Sequence, residues 1–443
     1  MRHNKNIIIS NIAIYAFVVT LLAAIAAQNC YGLNSTRTEN VLHQPRFFQN
    51  NTQNANIKTV RIYKTGWELA EPIIELHSNE SITLTFDDLS EDGATYSYRI
   101  VHCTWDWHPS DIHYSDYMDG FNENTVSAYS SAMGTTVPYA HYSLTIPNND
   151  VKIKLSGNYK LQIFDTYAPE STLFEKEFMV VEPIASVLAT VTRPGTGKIR
   201  DRGQQVNLKV NTNTLRINDP FADIRVTVKP MGIPAYTKQS ASPTFVRGAE
   251  LDYTHPDSLI FEAGNEFRSF NNKSIRSYAP GTASISYRAG EFYTILKSEG
   301  SRHNADYSFQ SDINGKFSVD CDGAGDPNIE ADYSRVLFQL PYYDEIPGKT
   351  VHVYGELTNW QTNQQSQMQY NKGLGRYELE LQLKQGYFNF IFVVKDTATG
   401  KVDATFFEGS HFASENRYLV TVYYMPMGSR YHQLVGVKIV GRD

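Results

Sequence analysis

Three cysteines in 443 residues, Cys30, Cys103 and Cys321, are too few for a scaffold held together by many disulfides. A Cys103–Cys321 bridge is conceivable, but it would join distant parts of the chain with nothing in the spacing to support it. Charge is sparse as well: 20% of residues are charged, the net charge is −7, and the positive residues are scattered. No basic stripe offers a footprint for nucleic acid. Also missing are a GxSxG elbow, an HExxH helix, a phosphate-cradling glycine loop and zinc-ribbon cysteine pairs. Nothing calls for the paired carboxylates of a glycosidase, whose diagnostic is a spatial separation. No segment beyond the N-terminal leader sustains a 3.6-residue apolar period, and no internal repeat stands out.

The chain begins with Arg2 and Lys5 ahead of an apolar stretch from Ile7 to Ala27, with Ala24 and Ala26 in an A-x-A pattern. This is the pattern of a secretory signal peptide over residues 1–27. The alternatives are an uncleaved anchor, since the stretch is long enough to span a bilayer, and a lipoprotein acylated at Cys30. The polar Gln28-Asn29 before that cysteine argues against acylation. Residues 28–54 are rich in Asn, Gln, Thr and Ser and lack apolar periodicity, so they read as a flexible leader.

Alternation of period two recurs through the rest of the chain, the mark of strands with one face buried and one wet. Ile82-Thr-Leu-Thr-Phe86, Tyr96-Ser-Tyr-Arg-Ile100, Val206-Asn-Leu-Lys-Val210 and Ile224-Arg-Val-Thr-Val228 show it, as do Tyr377–Leu383, Phe388–Phe392 and Tyr418–Val422. Turn residues at Asp92-Gly93, Gly157-Asn158, Asn314-Gly315, Gly373-Leu374-Gly375 and Gln385-Gly386 separate such runs. The expected fold is all-β, with tandem Ig-like β-sandwich domains built from antiparallel sheets. The proline after Val181-Glu182 and the acidic loop Asp320–Asp332 suggest three domains: 55–183, 184–329 and a C-terminal Ig-like, early-set sandwich over 330–443.

The richest cluster is His102-Cys103-Thr-Trp105-Asp-Trp107-His108-Pro109-Ser110. Adjacent His102 and Cys103 point to opposite faces of a strand, so they do not converge on one metal ion, and no metal site is expected. A catalytic Cys–His pair lacks a supporting motif, and Cys103 reads as a small core residue. The tryptophans cap a sheet edge in one reading. In the other, Trp105, Trp107, Tyr117 and Phe121, with Asp116 and Asp119 around them, form an exposed aromatic surface for a protein partner. Asp320, Asp322, Asp326, Glu330 and Asp332 suggest a calcium loop, yet Ala324 and Ala331 stand at ligand positions, so a solvated acidic linker is expected.

Tyr96-Ser-Tyr98, His102–Ser110, Tyr117-Met-Asp-Gly-Phe121, Tyr139-Ala-His-Tyr142 and Leu155-Ser-Gly-Asn-Tyr159 together resemble the plug proteins of bacterial type IX secretion. Asn218-Asp-Pro-Phe221, Phe261–Phe267 with Arg268, Gly355–Trp360, Leu383-Lys-Gln-Gly-Tyr387, Glu408-Gly-Ser-His-Phe412 and Val422–Pro426 extend that resemblance over almost the whole chain. The resemblance implies a non-enzymatic periplasmic protein without cofactors, itself monomeric. It would associate with the outer membrane by binding the periplasmic mouth of the translocon barrel and closing it when nothing is exported. A rival comes from the C-terminal region, where Gly355–Trp360 is similar to glycogen-binding-type modules. A glucan platform there would use Trp360 with Tyr370, Tyr377 and Tyr387, although Trp360 packed within its own sandwich is the simpler reading.

Overall fold

Each of the alternating runs forms a strand. Ile82–Asp88, Tyr96–Cys103, Gly203–Asn211, Ile224–Pro230, Arg376–Lys384, Gly386–Asp396 and Arg417–Tyr424 contain the seven segments read from period-two alternation. The computed structural model describes residues 56–90, 94–195, 197, 199–254 and 257–442. The expected signal peptide, leader, Cys30 and Asp92-Gly93 turn lie outside the described residues. No helix among the described residues is long and apolar enough to cross a membrane.

The first sandwich packs a sheet ordered Ile57–Lys64, Ile82–Asp88, Ala140–Ile146, Ala128–Ser131 against one ordered Ile73–Glu75, Thr172–Val181, Gly157–Asp165, Tyr96–Cys103, Glu123–Thr125. Their inward rows meet in an aromatic core. Phe86 stacks on Tyr142 at 4.9 Å and meets Tyr96 and Phe174 edge-on, while Tyr159 stacks on Phe178 at 5.1 Å. Burying rings of this size contributes about 1.5–3 kcal/mol each. The hydroxyls find partners: Tyr96 donates to Asp88 at 2.8 Å and Tyr159 to the Leu155 carbonyl at 2.7 Å.

The remaining strands build two further sandwiches that interleave along the chain. Ile224–Pro230 pairs with Arg417–Tyr424, which pairs with Gln433–Gly441, so the final two strands complete the sandwich begun by Ser186–Thr192 and Gly203–Asn211. Conversely, Arg268–Asn271 and Phe317–Val319 both pair with Gly386–Asp396, and Glu291–Leu296 pairs with Tyr333–Pro341. The boundary expected at 329/330 therefore does not separate sheets. Pairing is set by long-range register, which the composition of either strand does not encode. Among the described residues two strand pairs are parallel, Ile73–Glu75 with Thr172–Val181 and Glu291–Leu296 with Tyr333–Pro341, and the other pairings are antiparallel.

Candidate functional site

Of the six residues in the exposed-surface reading of the aromatic loop, Tyr117 is buried, Trp105 and Trp107 are half-buried, and Asp116, Asp119 and Phe121 are exposed. Tyr117 is 6% exposed in the first core and donates its hydroxyl to the Ile100 carbonyl at 2.9 Å, so it is no surface anchor. Trp105 and Trp107 are half-buried against Met179, Leu419, Tyr423 and Leu434, joining the first sandwich to the sheet of the chain's last strands. The turn is tight: the Trp107 N–H donates to the Thr104 carbonyl at 3.0 Å, and Trp107 takes a left-handed φ of 66°. A bulky residue holds that conformation where its surroundings over-determine it. The Asn158 side chain supplies part of that support, donating to the Thr104 carbonyl at 2.9 Å and accepting from the Tyr423 hydroxyl at 2.8 Å.

His102, at the base of this loop, is 1% exposed and contacts the rings of Tyr117, Tyr159 and Tyr431. Burial pushes its pKa down to about 4 from 6.5, and the same cause brings His352 to about 4. In both, the folded value lies below the unfolded one. Their stabilisation is complete above pH 6.5 and is lost as pH falls from 6.5 through 4, because the unfolded chain binds the protons first. Acid unfolding followed by circular dichroism is expected to show this limb, and His352→Gln should remove a share of about 3 kcal/mol or less from it. An unchanged limb would contradict the assignment.

A second joint, polar and missed by sequence reasoning, centres on Asp87. Asp87 is fully buried, and its carboxylate accepts from Lys384 Nζ at 2.7 Å, Tyr333 Oη at 2.6 Å and His141 Nδ1 at 2.6 Å. Lys384 is itself 1% exposed on its side chain, donates to the Asn328 carbonyl at 2.6 Å and lies 4.1 Å from the Tyr139 ring centroid. Burial lowers the pKa of this lysine, and Asp87 opposes the shift. One signal was in the sequence: Tyr139, His141 and Lys384 all lie in motifs that carry the family resemblance.

The Asp332 end of the acidic loop belongs to the same joint, which corrects its reading as a solvated linker there, while Asp322 and Asp326 are exposed. Asp332 is 4% exposed, and its carboxylate accepts from the Thr136 N–H and hydroxyl, both at 2.8 Å, and from the Val137 N–H at 3.2 Å. The Tyr139 hydroxyl donates to the Ala331 carbonyl at 2.8 Å. Asp326 caps the short helix Pro327–Glu330, and the Glu330 carboxylate accepts from the Gly325 and Asp326 N–H groups. These acids are occupied by backbone donors. Among the described residues no three His, Cys, Asp or Glu side chains are placed to hold a metal ion. Cys103 and Cys321 are unpaired, and burial raises the Cys103 thiol to about 12, far from a reactive thiolate.

What remains on the surface near the predicted loop is Phe121, 77% exposed, with Asp119 paired to Lys154 at 3.2 Å. Asp116 is the third residue of a capping box on the helix Tyr114–Tyr117, and its carboxylate lies 3.7 Å from Arg430. That contact brings the loop next to the turn 425–431, whose Met427 is 89% exposed. Met427 Sδ in turn accepts from Asn218 Nδ2 at 3.7 Å, beside the exposed Phe221. Phe121, Phe221 and Met427 thus sit on three loops tied in sequence by side-chain contacts. Phe221 and the Met-Pro turn both lie in or beside family motifs, but nothing in a sequence indicates that loops so far apart in the chain become neighbours.

The residues of the glucan platform do not assemble as one. Trp360 is half-buried with a φ of 58°, its ring edge-on to Tyr354 at 5.5 Å and to Phe267 at 6.2 Å. Tyr377 is 4% exposed in the third core, Tyr370 packs on it and donates to the Tyr342 carbonyl at 3.0 Å, and Tyr387 pairs with Asn271 and Ser318. Trp360, Tyr370 and Tyr387 are half-buried.

Residues 57–182 match the family described as "Type 9 secretion system plug protein 1st domain". A crystal structure of a hypothetical protein from Parabacteroides merdae ATCC 43184 is similar over 88% of this chain and 98% of its own, with 32% identity and a TM-score of 0.85. The collagen adhesin of S. aureus aligns over 89% of this chain and 94% of its own, at 7% identity and a TM-score of 0.12. No curated protein matches.

Proposed function

Since this chain belongs to the type 9 secretion system plug protein family, we propose that it is a non-enzymatic periplasmic body. In this reading it seats against the periplasmic opening of the system's outer-membrane barrel and closes it between export events. The observation that supports the reading best is the joint just described. A body that blocks a wide channel must not flex open, and here sandwiches from opposite ends of the chain are joined by a buried ion pair and buried aromatics. The loops of Phe121, Phe221 and Met427 supply exposed apolar anchors of the kind that dominate protein contacts.

Deleting the protein is expected to raise uptake of small dyes or antibiotics across the outer membrane, and the tagged chain is expected to co-purify with the barrel. Joint replacement of Phe221 and Met427 by Ser should weaken that complex by about 2 kcal/mol or more, roughly 30-fold in affinity, without changing the melting temperature. Unchanged permeability in the deletion strain would refute closure of the channel. Full affinity in the double variant would move the contact elsewhere on the surface.

A further inference from the structure

A cleft of ≈ 290 Å³ opens between the first sandwich and the third, and its walls are unusual in that consecutive residues line it: Ile57, Lys58, Thr59 and Val60 on one side, Glu380 to Lys384 on the other. A strand that shows a face exposes every second residue, so the consecutive run Glu380 to Lys384 means that this strand presents its edge; the run Ile57 to Val60 lies on an outer strand at a bulge, where the register shifts between Lys58 and Arg61 and Thr59 takes a φ of 50°. Both edges are free among the described residues. Ile57–Lys64 is the outer strand of its sheet. Arg376–Lys384 pairs along its whole length with Tyr333–Pro341, but its other side is covered only at Arg376–Glu378, by Gln369–Asn371. Free edges present rows of main-chain donors and acceptors that pair readily with another strand.

Four side chains narrow the occupant. Lys58 lines the cleft half-buried and makes no ion pair among the described residues, and burial together with Arg335 lowers its pKa, so a carboxylate there is favoured. Gln361 also lines it, with a buried Nε2 that has no hydrogen-bond partner, a donor suited to a carbonyl oxygen. The aromatic residues in the wall, Phe317 and Phe388, are 4% and 1% exposed and stacked on each other at 5.2 Å, so neither offers a plane to a sugar ring.

We propose that this cleft receives an extended, acidic peptide segment of a partner protein, paired through its main chain to the Ile57–Val60 and Leu379–Lys384 edges with a carboxylate against Lys58. Edges of four to six residues span roughly 13–20 Å, enough to register a short motif. The site is independent of channel closure and would stand if that reading failed.

The test pans the purified chain against a displayed library of random dodecapeptides. The expected winners are rich in Val, Ile and Thr and carry one Asp or Glu. Bound, they slow hydrogen exchange at the amides of Ile57–Val60 and Leu379–Lys384 that point away from the neighbouring strands. Lys58→Met is expected to weaken them about tenfold or more, and Lys58→Glu to regain binding only when the acid of the peptide becomes Lys. The melting temperature of each variant shows that the fold persists. The proposal is overturned by a library that yields no binder dependent on Lys58, by protection elsewhere on the surface, or by protection, already in the free chain, of those edge amides that point away from Ile82–Asp88 and Tyr333–Pro341. Protection of the same amides by maltoheptaose alone would also overturn it.

Discussion

Lys384→Met is expected to destabilise the folded chain by about 3–5 kcal/mol, because it strands the Asp87 carboxylate in an interior where neither group meets water. Asp87 keeps Tyr333 and His141 as donors, yet it loses the lysine ammonium that pairs with it. The partners belong to different sandwiches, Asp87 to the first and Lys384 to the third, so the damage falls on their union. Thermal unfolding by calorimetry is expected to change from one transition to two, with the first sandwich melting apart from the rest. Adding Asp87→Asn should recover at least about 1 kcal/mol, since the double variant no longer buries an unmatched charge. A loss under 1 kcal/mol with a single transition would show that the pair does not hold the sandwiches together, and would weaken the argument from stiffness to channel closure.

Glu408→Gln is expected to cost a similar amount, about 3–5 kcal/mol, for a different reason. The Glu408 carboxylate is 1% exposed and accepts from Arg268 Nε at 2.9 Å, Arg302 at 2.7 Å and the Phe392 N–H at 2.9 Å. Burial alone would raise its pKa, but Arg268 and Arg302 outweigh that and hold it below 4.5. A depressed carboxylate contributes stability that is complete above the unfolded value and is lost as pH falls through the folded one. The wild type should therefore lose this share only below about pH 4.5, at the acid end of the histidine limb, whereas the glutamine variant should lack it at neutral pH. Equal acid limbs in the two proteins, measured by urea unfolding at each pH, would argue against the assignment. Arg268 keeps Glu299 at 3.0 Å and the Gly300 carbonyl at 2.8 Å, so the damage should stay local to the third sandwich.

This second site also explains two motifs behind the family resemblance. Phe261–Arg268 and Glu408–Phe412 are far apart in the chain, but they meet. The Gly264 N–H donates to Ser410 Oγ at 3.0 Å, Asn265 Nδ2 to the Glu408 carbonyl at 2.9 Å, and the His411 N–H to the Gly264 carbonyl at 2.8 Å. Together with Tyr139, His141 and Lys384 around Asp87, these motifs are knots that fix how the sandwiches fit.

What the sequence determined by itself was local in origin. Alternation such as Ile82-Thr-Leu-Thr-Phe86 depends only on side chains two residues apart sharing a face, so strand positions and the all-β class were legible from one dimension. The resemblance to plug proteins was legible too, because it is carried by residue identities in order. What only the tertiary structure decided was which segments meet. It drew the 417–441 strands back into the middle sandwich, turned Trp105 and Trp107 inward, buried Asp332 under Thr136, and placed Lys384 on Asp87. Each outcome pairs residues far apart in sequence, where the free energy comes from desolvation and register at the point of contact, and a residue's neighbours in the chain carry no record of that.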